Sequence, residues 1–152
     1  MKITIDQAKP EDYETVDSIV KEGHAQTSSH MLATINRGMP PDVYEKLLME
    51  ADSDILLAKY DDEIVGLIIL QLKESGCAIP MKYVHMSEYG TVYMAGDIIG
   101  KQLFSACIEW AKAKGATSLE LNVSESNEKA ILFYESLDME TVSRNMSMII
   151  NE

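Results

Sequence analysis

YGTVYMAGDIIGKQLFSACIEWAKAKGATSLELNVSESNEKAILFY, residues 89–134, reads as strand, tight loop, helix, strand, helix. The loop holds Ala95-Gly96-Asp97-Ile98-Ile99-Gly100-Lys101, and the helix it opens runs to about Lys114. Ile99, Leu103, Cys107, Trp110 and Ala111 recur at helical spacing, leaving Lys101, Glu109 and Lys112 for water. Gly115 after the basic pair Lys112 and Lys114 is a helix stop, with cations at the negative end of the dipole. Thr117 to Val123 alternates, with Leu119, Leu121 and Val123 on one face and Ser118, Glu120 and Asn122 on the other. A strand that feeds a helix through a glycine-containing turn leaves backbone N–H groups aimed at one point. That arrangement suits an anion, above all a phosphate.

Downstream, Asn127-Glu128-Lys129-Ala130-Ile131-Leu132-Phe133-Tyr134-Glu135-Ser136-Leu137 resembles the N-x-x-A-I-x-F-Y-E-x-L element of the GNAT family of N-acetyltransferases. Gly96 to Lys101 and Leu119 to Val123 are similar to the same family, and Ser143-Arg144-Asn145-Met146 resembles the final strand of one bacterial branch. The resemblance covers almost the whole chain. It implies one α/β domain over residues 1–152, with a mixed, mostly antiparallel sheet of six to seven strands flanked by about four helices. The family's pyrophosphate loop reads Q/R-x-x-G-x-G/A. Here Ala95 stands where Arg or Gln is expected and Ile98 where Gly is expected, so side-chain charge is lost and backbone approach is narrowed.

The resemblance further implies acetyl-CoA as co-substrate, no metal, and a primary amine as acceptor on a small molecule, peptide or protein. Attack would be direct, in a ternary complex, since neither Cys77 nor Cys107 sits where a covalent relay needs it. Tyr134 matches the tyrosine that protonates the departing thiolate. A phenol with a pKa of about 10 is protonated at neutral pH and can do so. Glu88 is the candidate base, directly or through water, with His85 and Tyr89 as rivals. The implied cofactor set is Val92, Tyr93, Met94, Gly96, Asp97, Ile98, Ile99, Gly100, Lys101, Asn122, Asn127, Ala130 and Tyr134. Bland readings stand beside these: Asn127 as a helix cap, Asp97 as a capping acid, Tyr134 as a packed aromatic, Glu88 as a solvated strand glutamate. The alternative for the whole chain is a degenerate relative that keeps the fold as a binding module with weak or no coenzyme binding.

Thirteen basic against 25 acidic residues give a net charge of −12, which disfavours nucleic acid and anionic membrane and suits a cationic acceptor. The N-terminal run lacks the apolar core of a secretory signal, no stretch approaches a membrane span, and two cysteines make no disulfide framework. A reducing cytoplasmic setting is expected, and a homodimer is compatible with the family.

Upstream, Lys2 to Ala8 alternates as a first strand, and Pro10 with Glu11, Asp12 and Glu14 starts a helix. Tyr13, Val16, Ile19 and Val20 form its stripe, and it ends between Gly23 and Ser29. His24 and His30 lack metal-ligand spacing. After Gly38-Met39-Pro40-Pro41, Asp42 to Glu50 reads as a short helix with Val43, Leu47 and Leu48 inward. Asp54 to Tyr60 and Glu63 to Lys73 form a hairpin across Asp61-Asp62, the second strand apolar enough to be central. Tyr83 to Met94 is a further strand in which Gly90 suggests a bulge or the close approach of a ligand backbone. Val142 to Ile150 alternates and is expected to close the sheet.

Overall fold

The computed structural model describes residues 2–27, 38–76, 78–90 and 98–151. They fall into two units, Met1–Asn122 and Val123–Glu152. In the first, strands β1 (Ile3–Gln7), β2 (Ser53–Tyr60), β3 (Glu63–Glu74), β4 (Lys82–Gly90) and β5 (Ser118–Leu121) form one sheet in that order. Helices α1 (Tyr13–Thr27), α2 (Pro41–Met49) and α3 (Ile98–Ala113) cover it. The first three strand pairings are antiparallel, and β4 pairs with β5 in parallel. The α/β class is as expected. The strand count is lower, five among the described residues.

Local chemistry explains the elements. A 3-10 turn at Pro10–Asp12 leads into α1, where Asp12 accepts from Lys9 N–H at 2.9 Å and returns its own N–H to Lys9 C=O at 2.9 Å. Proline at the first position loses nothing, because that N–H has no helical partner. The β2–β3 hairpin turns on Asp61 and Asp62, both left-handed at φ 49° and 70°, as a two-residue loop matched to strand twist requires. Lys2 N–H donates to the Asp61 carboxylate at 2.8 Å and fixes the adjoining β1 end. At the end of α3, Gly115 takes φ +80° and donates to Lys112 C=O, while Ala116 N–H reaches back to Ala111 C=O at 3.0 Å.

The sheet has two apolar faces. On one, Ile55, Leu57, Leu67 and Ile69 pack with Val16 and Val20 of α1 and with Tyr44 and Leu47 of α2. The alternate residues Leu56, Ala58, Ile68 and Leu70, also buried, point the other way. There α3 lies across β1, β2, β3 and β5, burying Ile99, Leu103, Phe104, Cys107 and Ala111. Register partners share a face. Tyr89 (opposite Leu67), Ser87 (opposite Ile69) and His85 (opposite Gln71) therefore belong to the α1–α2 face. Glu88 (opposite Ile68) and Met86 (opposite Leu70) belong to the α3 face.

Three expectations change. Val43 is exposed at 42%, and its neighbour Tyr44 is buried instead. Tyr44 stacks obliquely on Tyr13 and sends its hydroxyl to Lys9 C=O, so a large ring with a satisfied polar end fills the space better than a valine. The described part of β4 carries no bulge: its ladder with β3 runs unbroken from Lys82 to Gly90, with Gly90 opposite Gly66. The irregularity lies instead in the β2–β3 ladder, where Val65 is the extra residue between Gly66 and Ile64. Finally, residues 142–150 form no strand and are exposed. Alternation makes a strand only where a neighbouring edge supplies hydrogen bonds, and no ladder reaches this segment.

In the second unit, Asn127 opens α4 (Glu128–Ser136) by accepting Ala130 N–H at 3.2 Å. Asp138 closes it in the left-handed region at φ 68°, with Met139 N–H bonded to Tyr134 C=O at 3.1 Å. Ala130, Phe133 and Tyr134 are buried.

Candidate active site

The β4–β5 ladder joins Tyr83 to Ser118, Val84 to Leu119, His85 to Glu120 and Met86 to Leu121, and there it ends. β4 runs on through Ser87, Glu88, Tyr89 and Gly90, while β5 stops at Leu121 and Asn122 follows in exposed, irregular chain. β4 therefore outlasts its pairing with β5 by the four residues Ser87 to Gly90. α3 connects these strands and begins at Ile98. Its first-turn N–H groups lack intrahelical acceptors, its first turn holds no acidic residue, and Lys101 is exposed. Those features fit an anionic ligand, with the backbone amides of the first α3 turn for a phosphate.

Individual residues divide as follows. Val92, Tyr93, Met94, Gly96 and Asp97, with Ala95, lie outside the described residues, as do Cys77 and the side chains of His24 and His30. Ile98 is 50% exposed at the first position of α3, while Ile99 and Gly100 are buried, so Ile99 can meet a ligand only through its backbone. Glu88 is half-buried on β4. Asn127, Ala130 and Tyr134 share one short helix, where Asn127 spends its side-chain carbonyl on the cap and Tyr134 lies edge-on to Phe133 at 5.3 Å.

Electrostatics separate the rival groups. Burial raises the Tyr89 phenol, which keeps its proton and makes it a poor base. Burial pushes the Cys107 thiol up to about 12, so it stays protonated in the α3 core and is no nucleophile. One arrangement escaped the sequence: the His85 ring Nδ1 sits 3.0 Å from Glu120 Oε1. Only the parallel register of β4 and β5 brings them side by side, and alternation within each strand says nothing of register. Among the described residues no group of three His, Cys, Asp or Glu is placed to hold a metal, and no helix is long and apolar enough to cross a membrane.

The family described as acetyltransferase (GNAT) matches residues 23–139. Among solved structures, the fold is similar to a mutant protein from Bacillus halodurans, at 22% identity over 97% of this chain and 99% of that one, TM-score 0.82. It is also similar to glucosamine-6-phosphate N-acetyltransferase from Arabidopsis thaliana (16% identity, 99% and 100% covered, TM-score 0.70). A third similar structure is ribosomal-protein-alanine N-acetyltransferase from Brucella melitensis biovar Abortus (20% identity, 99% of each chain, TM-score 0.66). No curated protein matches the chain.

Proposed function

The chain belongs to the acetyltransferase (GNAT) family, and on that premise we propose that it moves the acetyl group of acetyl-CoA to a primary amine by direct attack in a ternary complex. The observation that carries this reading is the end of the parallel β4–β5 ladder at Met86 and Leu121, with α3 as the connection between the two strands. The place where the two strands part suits the extended arm of the coenzyme, and the first turn of α3 suits the pyrophosphate. Ile98, Ile99, Gly100 and Lys101 would hold it there, with Val92, Tyr93, Met94, Gly96 and Asp97 before them. Asn122, Asn127 and Ala130 complete the set. The bound thioester supplies an activated acetyl group. Tyr134 donates a proton to the departing thiolate, and a base on β4, for which Glu88 and its rival His85 are the candidates, takes one from the amine, directly or through water. The acceptor is a small amine or an amine on a peptide or protein, drawn by the net charge of −12.

One observation favours a second reading. Ile98 presents a β-branched, half-exposed side chain at the first position of α3, where a phosphate must approach backbone closely. In that reading the chain is a binding module with weak coenzyme affinity.

Calorimetric titration of acetyl-CoA into protein freed of coenzyme separates the two. Micromolar binding, about −8 kcal/mol, with thiol release on adding an amine supports the enzyme. No heat at millimolar coenzyme supports the module.

A further inference from the structure

Resting on the acetyl-transfer reading, we infer that His85, oriented by Glu120, is the group that takes the proton from an acceptor amine presented on the α1–α2 face of the sheet. His85 Nδ1 lies 3.0 Å from Glu120 Oε1. An ionised carboxylate only accepts hydrogen bonds, so Nδ1 carries the ring hydrogen and Nε2 keeps a free lone pair. No other hydrogen bond engages the His85 side chain among the described residues. The two residues are direct register partners on parallel strands, so backbone pairing rather than loop conformation sets their spacing. A site built on strands holds its geometry better than one built on loops. Their exposure is graded as a relay requires: the His85 side chain is 18% exposed and that of Glu120 51%. The imidazole is thus held inside while its carboxylate partner meets solvent.

Position gives the pair its use. His85 stands one residue before the last β4–β5 rung, where the two strands part. It shares the α1–α2 face with Tyr89, whereas Glu88 looks to the α3 side. An amine arriving over the α1–α2 face therefore meets His85 and not Glu88. Nε2 takes a proton from the ammonium form, and Glu120 balances the charge of the resulting imidazolium. The neutral nitrogen then attacks the thioester carbonyl: a C–N bond forms, the C–S bond breaks, one of the nitrogen's two protons ends on the leaving sulfur as the thiol, and the other stays on the amide. The proton on His85 returns to water. Glu120 is a positioning residue in this scheme, since it acts only through His85.

The test uses the full-length chain and His85→Gln, Glu120→Gln and Glu88→Gln. Thiol release is followed with ethylamine, spermidine and a lysine-containing peptide, and with methoxyamine, whose nitrogen is already neutral at pH 7. Nitrogen-15 spectra of the imidazoles report the tautomer without any coenzyme. The inference expects His85→Gln to lower kcat/KM for the alkylamines by about 100-fold, more than Glu88→Gln does, while methoxyamine loses several-fold less. Acetyl-CoA affinity stays unchanged. Glu120→Gln should keep the Nδ1–H form of His85, because the amide oxygen also accepts, but lose part of the rate with the charge that balances the imidazolium. A His85 that carries its hydrogen on Nε2 in the unaltered protein overturns the inference, as does equal loss for both kinds of amine or full activity of His85→Gln. Those results leave the acetyl-transfer reading standing. No thiol release by the unaltered protein with any amine overturns that reading and the base role with it.

Discussion

Tyr44 and Lys9, 35 residues apart, are joined by a hydrogen bond of 2.5 Å from the phenol to the backbone carbonyl. This bond ties α2 to the chain that enters α1, and it needs the phenolic proton. Burial first, and the nearby Asp12 second, push the Tyr44 phenol up to about 12. Unfolded, the same phenol ionises near 10. Between those values the unfolded chain binds fewer protons than the folded one, so stability falls as pH rises from about 10 to about 12. Urea melts across that range should show the decline. Tyr44→Phe should flatten it and lower stability at neutral pH by about 1 kcal/mol, because Lys9 C=O loses one of its two donors and keeps Asp12 N–H.

Cys107 is fully buried in the α3 interface, with its thiol raised to about 12. Cys107→Ala should keep thiol-release turnover and cost about 1 kcal/mol of stability. A turnover lost with the thiol, at unchanged fold, would reinstate a covalent relay.

Asn127 can be a cap, a ligand contact, or both. The cap is formed, at 3.2 Å to Ala130 N–H. Asn127→Ala should lower the thermal midpoint by an amount equivalent to about 1 kcal/mol, and Asn127→Asp should restore it. If acetyl-CoA affinity falls in the Asp variant as well, Asn127 holds a ligand through its amide nitrogen.

Tyr134→Phe should cut turnover by at least 10-fold with little change in coenzyme affinity by calorimetry. Unchanged turnover would remove the phenol from the reaction and leave Tyr134 as a packed aromatic beside Phe133.

Much of the architecture was legible because it is written in local periodicity and turn chemistry. The α1 stripe, the Asp61-Asp62 hairpin, the Gly115 helix stop and the buried face of α3 each follow from spacing and turn chemistry. What escaped depends on distant partners. Nothing near Val43 in sequence says that Tyr44 will find Lys9 C=O, and so displace its neighbour from the interior. The apolar alternation of 142–150 promised a strand, but a strand also needs a free edge in register. The same limit hid the His85–Glu120 pair, since a parallel ladder is fixed by how α3 crosses over the sheet and not by either strand's own residues.

At the far end of α3, the Lys114 ammonium lies 5.4 Å over the Trp110 ring and donates to Ala51 C=O at 2.7 Å. Trp110 is the only tryptophan in the chain, and it stands about 18 Å along the helix from Ile98. Its fluorescence is therefore a private signal of this clamp. It should shift sharply when urea frees the indole, yet stay nearly constant while coenzyme fills the opposite end of the same helix. The molecule thus carries its own optical gauge of folding, one that ligand titrations leave undisturbed.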